Sequence, residues 1–431
     1  MPPSTVQFAL SSSKSIRIET IFAFLGCAVL LISLVVLIDH PPINQRTDFS
    51  VTYIGSRMVY LGLGPKLYDL AEQQKLKSQL LPNAEPLIYE HPPFEALLLA
   101  PLGALPYKAA FLMWGIINVA IWLFLPYLLR HYAPVPRDDL AYLLLWMLFL
   151  PLGGALFEGQ SSLIMLLLYS VTFIQLRSGR DFSAGAIFGL ALLKFQFALP
   201  LALVLLLQRK WRFIKGFLGT AAALGVLSLV AVGWRGILSY IHLLMGVTAH
   251  PDNSSYGAAK GMATIQGFVY ALLAAPFGHA AVSVIVAAAS IFLILWTAWL
   301  WRKADISADL RTFDLMFAAT IVVSIVTSLH MFTPDLSPLI ITMLLVARYF
   351  PERSHTSLRL VLGTTLVLLW MPPLFLLLLA RHSAYLWFPV LMAFTIGIFK
   401  MVGIPGEKIA GAQMVHPAAS LAGIPEVDKS N

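Results

Sequence analysis

The chain has 431 residues, 59% of them hydrophobic and only 12% Asp, Glu, Lys or Arg, about half the charged share of a soluble protein. That balance excludes a water-soluble globule, which needs a charged skin these residues cannot supply, and describes a chain solvated by a bilayer. The net charge of +8 fits basic residues at the ends of membrane spans better than nucleic acid as a partner, and a single cysteine, Cys27, excludes an intramolecular disulfide.

Apolar runs of about 15 to 24 residues recur, too long and unbroken for barrel strands, so the spans are predicted to be helices that satisfy their own backbone hydrogen bonds. The first, 21–38, follows Lys14 and Arg17 and runs into Asp39, His40, Pro41 and Pro42 without a small-residue cleavage site. It reads as an uncleaved anchor with its N-terminus inside. A large external loop, 39–106, follows, with seven acidic and five basic residues between 39 and 95. Within it, 48–61 and 67–81 are predicted as short helices at the membrane interface. The stretch 95–105, bounded by prolines, is too short to cross and reads as a re-entrant or surface-lying helix.

Further spans are predicted at 109–129, 140–157, 163–175, 183–193, 197–207, 213–232, 281–301, 312–329, 336–346, 360–380 and 384–401. With the anchor this makes about twelve in a single all-α, polytopic membrane bundle covering 1–402. A second external loop is predicted at 233–279, its apolar tail 264–275 being a further span in the alternative threading, and 403–431, rich in Ala, Gly and Pro, reads as a flexible cytoplasmic tail. The main threading puts 19 of the 29 basic residues inside, in accord with the positive-inside rule.

The same threading places the conspicuous polar residues at or near the external boundary: Asp48, Arg57, Asp69, His91, Glu158, Gln160, Lys194, Gln196, His330 and Asp335. Lys194 is the sharpest signal. It interrupts an apolar stretch where a central lysine costs about 2.5 to 3.5 kcal/mol, so it needs an anion or a watery cavity, unless it lies in a hairpin turn and snorkels to the surface. His330 and Asp335 flank Pro334, where an aspartate is also a routine helix cap. No His-Glu-x-x-His or cysteine-rich pattern is present, and no metal site is expected. Gly62-Leu63-Gly64 leads into Pro65 rather than Lys-Ser or Lys-Thr, so it reads as a turn and not a phosphate loop. The cluster Arg209, Lys210, Arg212 and Lys215 reads as an anchor at acidic lipid heads.

Taken in order, several pieces resemble the polyprenyl-phosphate-sugar-dependent glycosyltransferases of family 87, the bacterial mannosyltransferase group with a GT-C membrane fold. They are Asp48-Phe49 with Tyr53, Gly64 leading to Leu67-Tyr68-Asp69, Glu90-His91-Pro92-Pro93-Phe94, Glu158-Gly159-Gln160, Lys194-Phe195-Gln196 ahead of Arg209-Lys210-Trp211-Arg212, and Ser328-Leu329-His330 with Asp335-Leu336. Phe195 stands where the family commonly has Pro, Pro334 where it has Tyr, and Ser162 where it often has Asn. The resemblance implies an integral protein of a bacterial plasma membrane, with an acidic residue after the first span as catalytic base. By motif that residue is Asp48.

The chemistry runs parallel to the resemblance. An external site has no access to cytosolic nucleotide sugars, so an activated sugar must arrive on a lipid carrier whose phosphate sits at the membrane boundary. Transfer needs a base for the acceptor hydroxyl, which Asp48 supplies, and a cation for the departing phosphate, for which Lys194, His330 and Arg57 are candidates. Tyr53, Asp69, His91, Gln160, Gln196 and Asp335 are the candidates for holding sugar or acceptor. One base and no enzyme nucleophile imply inversion. No cofactor is expected: a polyprenyl-phosphate hexose, with mannose the sugar the resemblance implies, is donor substrate, a lipid or glycan the acceptor, and membrane lipids the surroundings. A transporter or flippase of lipid-linked sugars is the competing reading, although no internal repeat of the kind carriers show is evident, and a non-catalytic scaffold is a third.

Overall fold

The computed structural model describes residues 43–133, 139–249, 259–304, 309–350 and 356–403. The expected anchor 21–38, residues 250–258 of the expected second loop and residues 404–431 of the expected tail lie outside the described residues. Every element among the described residues is helical.

The stretch 43–106, expected as the first external loop, comes first in the chain. Helices α1 (Phe49–Tyr60) and α2 (Leu70–Leu80) lie within the two short helices expected there. Next come α3 (Pro93–Leu98) and α4 (Ala100–Gly103), split at Leu99 because Pro101 cannot donate to a continuing helix. Their apolar faces close a separate aromatic core, in which Phe49 stacks on Phe111 at 5.3 Å and faces Trp114 at 6.2 Å. Phe111 and Trp114 belong to α5 (Tyr107–Leu129), so burial of these rings, about 1.5 to 3 kcal/mol each for large apolar side chains, seats these short helices on the bundle.

The bundle continues with α6 (Asp139–Leu148), α7 (Leu150–Glu158), α8 (Ser162–Arg177), α9 (Asp181–Gly189), α10 (Phe195–Leu207), α11 (Trp211–Ala249), α12 (Ile265–Lys303), α13 (Leu310–Val326), α14 (Leu339–Arg348), α15 (Thr356–Leu369), α16 (Pro372–Ala380) and α17 (Trp387–Val402). Helix α13 is buried at every residue from Phe313 to Val326 and is the central post. Among the described residues, five helical stretches are long and apolar enough to cross a membrane by length and composition alone, 181–207 being one of them, or six if α15 and α16, bent by 66° at their junction, are one span. The described residues alone thus hold fewer helices of spanning length than the expected total of about twelve, because several expected spans there are short or paired.

The clearest pairing involves the stretch 181–207. As one straight helix its 27 residues would extend about 40 Å, yet Lys210 Nζ lies 3.5 Å from Asp181 Oδ2. The Thr220 hydroxyl also donates to the Ala186 carbonyl at 2.8 Å. The stretch is a hairpin, α9 up and α10 back, and its tip is the 3₁₀ turn Leu190–Lys194. Lys194 thus occupies the turn that the spans 183–193 and 197–207 leave for it.

The second external loop needs correction. Helix α11 runs through the expected span end at Val232 to Ala249, kinked at Gly233, whose φ of 66° is in the left-handed region that favours glycine. Helix α12 begins at Ile265 and kinks at Gly278, after Pro276. Most of 233–279 is thus helix rather than loop. The apolar tail 264–275 is a short helix ahead of the second kink, too short to span alone.

Helix α8 fixes the polarity of the bundle. Its 16 residues separate Ser162 from Arg177 by about 24 Å. The Arg177 end collects basic side chains: Arg177 Nε bonds Asp314 Oδ1 at 2.8 Å, Arg302 donates to the Leu207 carbonyl at 2.7 Å, and Arg348 to the His131 carbonyl at 2.6 Å. The Ser162 end holds the cavity described next.

Candidate active site

At the Ser162 end, a cavity of about 250 Å³ is lined by Asp48, Glu90, His91, Gln160, Lys194, Gln196, His330 and Asp335, with Leu193, Phe195, Leu244, Met245, Leu329 and Phe332 among its apolar walls. Its size is near the lower edge of small-molecule pockets.

Asp48 occupies the position before α1 where aspartates usually cap a helix, yet its side chain makes no capping bond. Its carboxylate accepts a hydrogen bond from Gln160 Nε2 instead. The approach is made possible by Gly159, which ends α7 at φ 65°, ψ 32°. A Cβ there would lie 2.7 Å from the Phe49 Cβ, so only glycine lets the chain double back against α1. The Trp114 indole donates to the Gly159 carbonyl at 2.7 Å and holds the turn. Burial pushes the Asp48 carboxyl above the usual carboxylate range, against the opposing pull of the Gln160 hydrogen bond and the Lys194 charge. That raises its proton affinity, as a general base near neutrality requires.

Lys194, its side chain 12% exposed, is ion-paired with Asp335, which is 7% exposed. Asp335 sits in the 3₁₀ turn Thr333–Leu336, and its capping contact, Phe332 N to Oδ2, is long at 3.4 Å. The lysine and the serine take its other oxygen: Ser162 Oγ donates to Oδ1 at 2.6 Å. A largely buried pair of this kind costs desolvation that its mutual attraction only partly repays.

Two histidines face the cavity in different states. His91 Nδ1 lies 2.7 Å from Glu95 Oε2, one helical turn on. Burial alone would lower the imidazole, but the Glu95 charge and hydrogen bond outweigh it and raise the pKa. Neither ring nitrogen of His330 has a hydrogen-bond partner among the described residues, and burial pushes its pKa down. A neutral, unengaged imidazole offers one donor and one acceptor to whatever enters.

Three expected site residues are elsewhere, with structural partners. Arg57 does not line the cavity; its guanidinium donates to the Gly103 carbonyl at 2.7 Å and lies over the Tyr60 ring. Tyr53 donates to the Leu105 carbonyl at 2.8 Å. Asp69 caps α2, accepting from the amides of Ala71 at 3.0 Å and Glu72 at 3.2 Å. None of the three lines the cavity, and each makes hydrogen bonds to backbone groups elsewhere.

The model of glycosyltransferase family 87 matches residues 89–334, more than half of the chain. The chain belongs to glycosyltransferase family 87. It is accordingly a membrane glycosyltransferase. No curated protein and no solved structure matches it. The family match takes in Glu90, His91, Gln160, Lys194, Gln196 and His330, whereas Asp48 and Asp335 fall outside it and join the cavity by geometry alone.

In this family 87 protein, residues that carry little signal in the sequence also stand at or beside the cavity. Glu90 lines the cavity, and burial raises its carboxyl to about 7; its only sequence signal is its place in Glu90-His91-Pro92-Pro93. Glu95, buried at 5% exposure, orients His91, and an i, i+4 spacing on a helix-initiating segment was the available clue. Ser162, noted only as a departure from the family pattern, is hydrogen-bonded to three polar neighbours.

Proposed function

We propose that the protein transfers a hexose, mannose being the sugar implied by its resemblance, from a polyprenyl-phosphate donor to a hydroxyl of a lipid or glycan acceptor on the extracytoplasmic side of a bacterial plasma membrane. Asp48 takes the acceptor proton, the anomeric carbon is attacked directly, and the sugar is released from phosphate with inversion. Lys194 stabilises the negative charge that gathers on the departing phosphate, with His330 donating a hydrogen bond beside it. His91, Gln160, Gln196 and Asp335 position the sugar or the acceptor around them.

The observation that carries the reading is the meeting of a carboxylate and a buried ammonium, drawn from α1 and the α9–α10 hairpin, in one cavity with apolar walls. A base and a cation lining one small pocket suit displacement at a carbon held near both, and apolar walls beside the cation suit a phosphate tethered to a hydrocarbon tail. The distribution of arginines at the far end of α8 supports an outward-facing pocket through the positive-inside rule.

The test is transfer itself. Purified protein is incubated with radiolabelled polyprenyl-phosphate mannose and candidate lipid and glycan acceptors, and the anomeric configuration of the product is determined. Label moved to an acceptor with inverted configuration is the expected result. Absence of transfer to every acceptor, or retained configuration, contradicts the proposal.

A further inference from the structure

Ser162 is the first residue of α8 and 1% exposed. Its hydroxyl lies 2.6 Å from Asp335 Oδ1, 3.1 Å from Gln160 Oε1 and 3.2 Å from Lys194 Nζ. Gln160 in turn gives its amide Nε2 to Asp48. Among the described residues, this is the one side chain bonded both to the Lys194–Asp335 pair and to the glutamine that holds Asp48.

A hydroxyl has a single proton. With the Lys194 ammonium as donor to Oγ, that proton goes to Asp335 or to Gln160, never both. The shorter distance and the charge on the carboxylate favour Asp335 in the empty cavity. Gln160 is committed on its other side, since its N–H faces the Asp48 carboxylate, so its carbonyl competes for the serine proton.

We propose that Ser162 is a positioning residue that couples the phosphate-binding lysine to the catalytic base. The proposal rests on the donor-phosphate reading of Lys194. An incoming phosphate competes with Asp335 for the ammonium and weakens that pair. Asp335 Oδ1 then leans more on Ser162 for its hydrogen bond, the serine proton is withheld from Gln160, and the glutamine is left to Asp48. Occupancy at the lysine is thereby felt at the base through one hydroxyl. The coupling is reciprocal: replacing Asp48 by Asn, whose amide both donates and accepts, lets Gln160 turn its N–H toward Ser162. That commits the serine proton to Asp335, eases release of Lys194 and tightens phosphate binding.

The experiment is a double-mutant cycle on binding rather than turnover. The dissociation constant of a polyprenyl monophosphate in detergent is measured for the wild type, Asp48→Asn, Ser162→Ala and the double variant, all as full-length purified protein. Asp48→Asn removes a negative charge and tightens binding through space in both backgrounds. The factor is expected to be at least about threefold larger where Ser162 is present, within the range of coupling between contacting groups. Equal factors in the two backgrounds overturn the relay, since a merely structural serine leaves the ratio unchanged. Should Ser162→Ala not fold, Ser162→Cys, near in size with a weak donor, takes its place with the same expectation. No saturable binding by the wild type overturns the donor-phosphate reading itself, and the relay with it.

Discussion

Asp48 and Asp69 both stand immediately before a helix, and in the sequence both are paired with an aromatic neighbour. They are separated by what their carboxylates accept: Asp69 takes two amides of α2, whereas Asp48 takes none of α1 and faces the cavity. Replacing Asp69 by Ala is expected to lower stability by about 1 kcal/mol, the usual cost of a lost cap, read as a lower Tm with kcat/KM unchanged. A large loss of kcat/KM at unchanged Tm would place Asp69 in the chemistry after all. The residues around the cavity that were legible in the sequence, Lys194 above all, were legible because a polar group amid apolar neighbours costs energy and needs a reason. Ser162 and Glu90 gave no such signal. A serine is cheap anywhere, and a glutamate in a polar loop is unremarkable until the loop is seen folded against the bundle.

At the scale of elements, the segment carrying Glu90 and His91 has no regular structure of its own and is held by α2. Gln73, 2% exposed, donates to the Leu67 carbonyl at 2.7 Å and the Tyr89 carbonyl at 3.2 Å, and accepts from the Tyr89 amide at 2.7 Å. Gln73→Leu keeps the volume but strands these backbone groups in the core, at about 1 to 3 kcal/mol for each unsatisfied group. The expected result is a lower Tm and a raised KM, because the next residues line the cavity. An unchanged Tm and KM would show that α2 merely covers the segment. The two short helices α1 and α2 and the helical character of the apolar runs were readable from apolar periodicity. The continuation of α11 past Gly233 was not, since hydropathy falls there and a glycine of positive φ resembles a stop. The kinks at Gly233 and Gly278 nonetheless fall close to the expected span limits at 232 and 281.

Across the whole molecule, polar chemistry is divided between two ends. At the end away from the cavity, Asp314 is fully buried and held by Arg177 at 2.8 Å and the Tyr349 hydroxyl at 2.7 Å, tying α8, α13 and the end of α14 together. Arg177→Met leaves that carboxylate without its cation and is expected to cost about 3 to 5 kcal/mol, much of it recovered in Arg177→Met/Asp314→Leu. The affinity for a polyprenyl monophosphate, about 24 Å away along α8, is expected to stay as in the wild type wherever the protein remains folded. A single variant as stable as the wild type would show that the clasp contributes nothing to the fold. Composition made the bilayer legible. The number of spans was not, because a hairpin such as 181–207 and two long kinked helices satisfy the same apolar pattern in different ways.

The central claim is that Asp48 removes the acceptor proton while the rest of the cavity binds the donor. Its most direct test is a single-turnover measurement with polyprenyl-phosphate mannose on wild-type and Asp48→Asn protein of equal Tm. The account predicts a rate reduced about 10² to 10⁴-fold, the usual worth of a general base, with donor binding retained or tightened. An Asp48→Asn protein that turns over donor at the wild-type rate would contradict it.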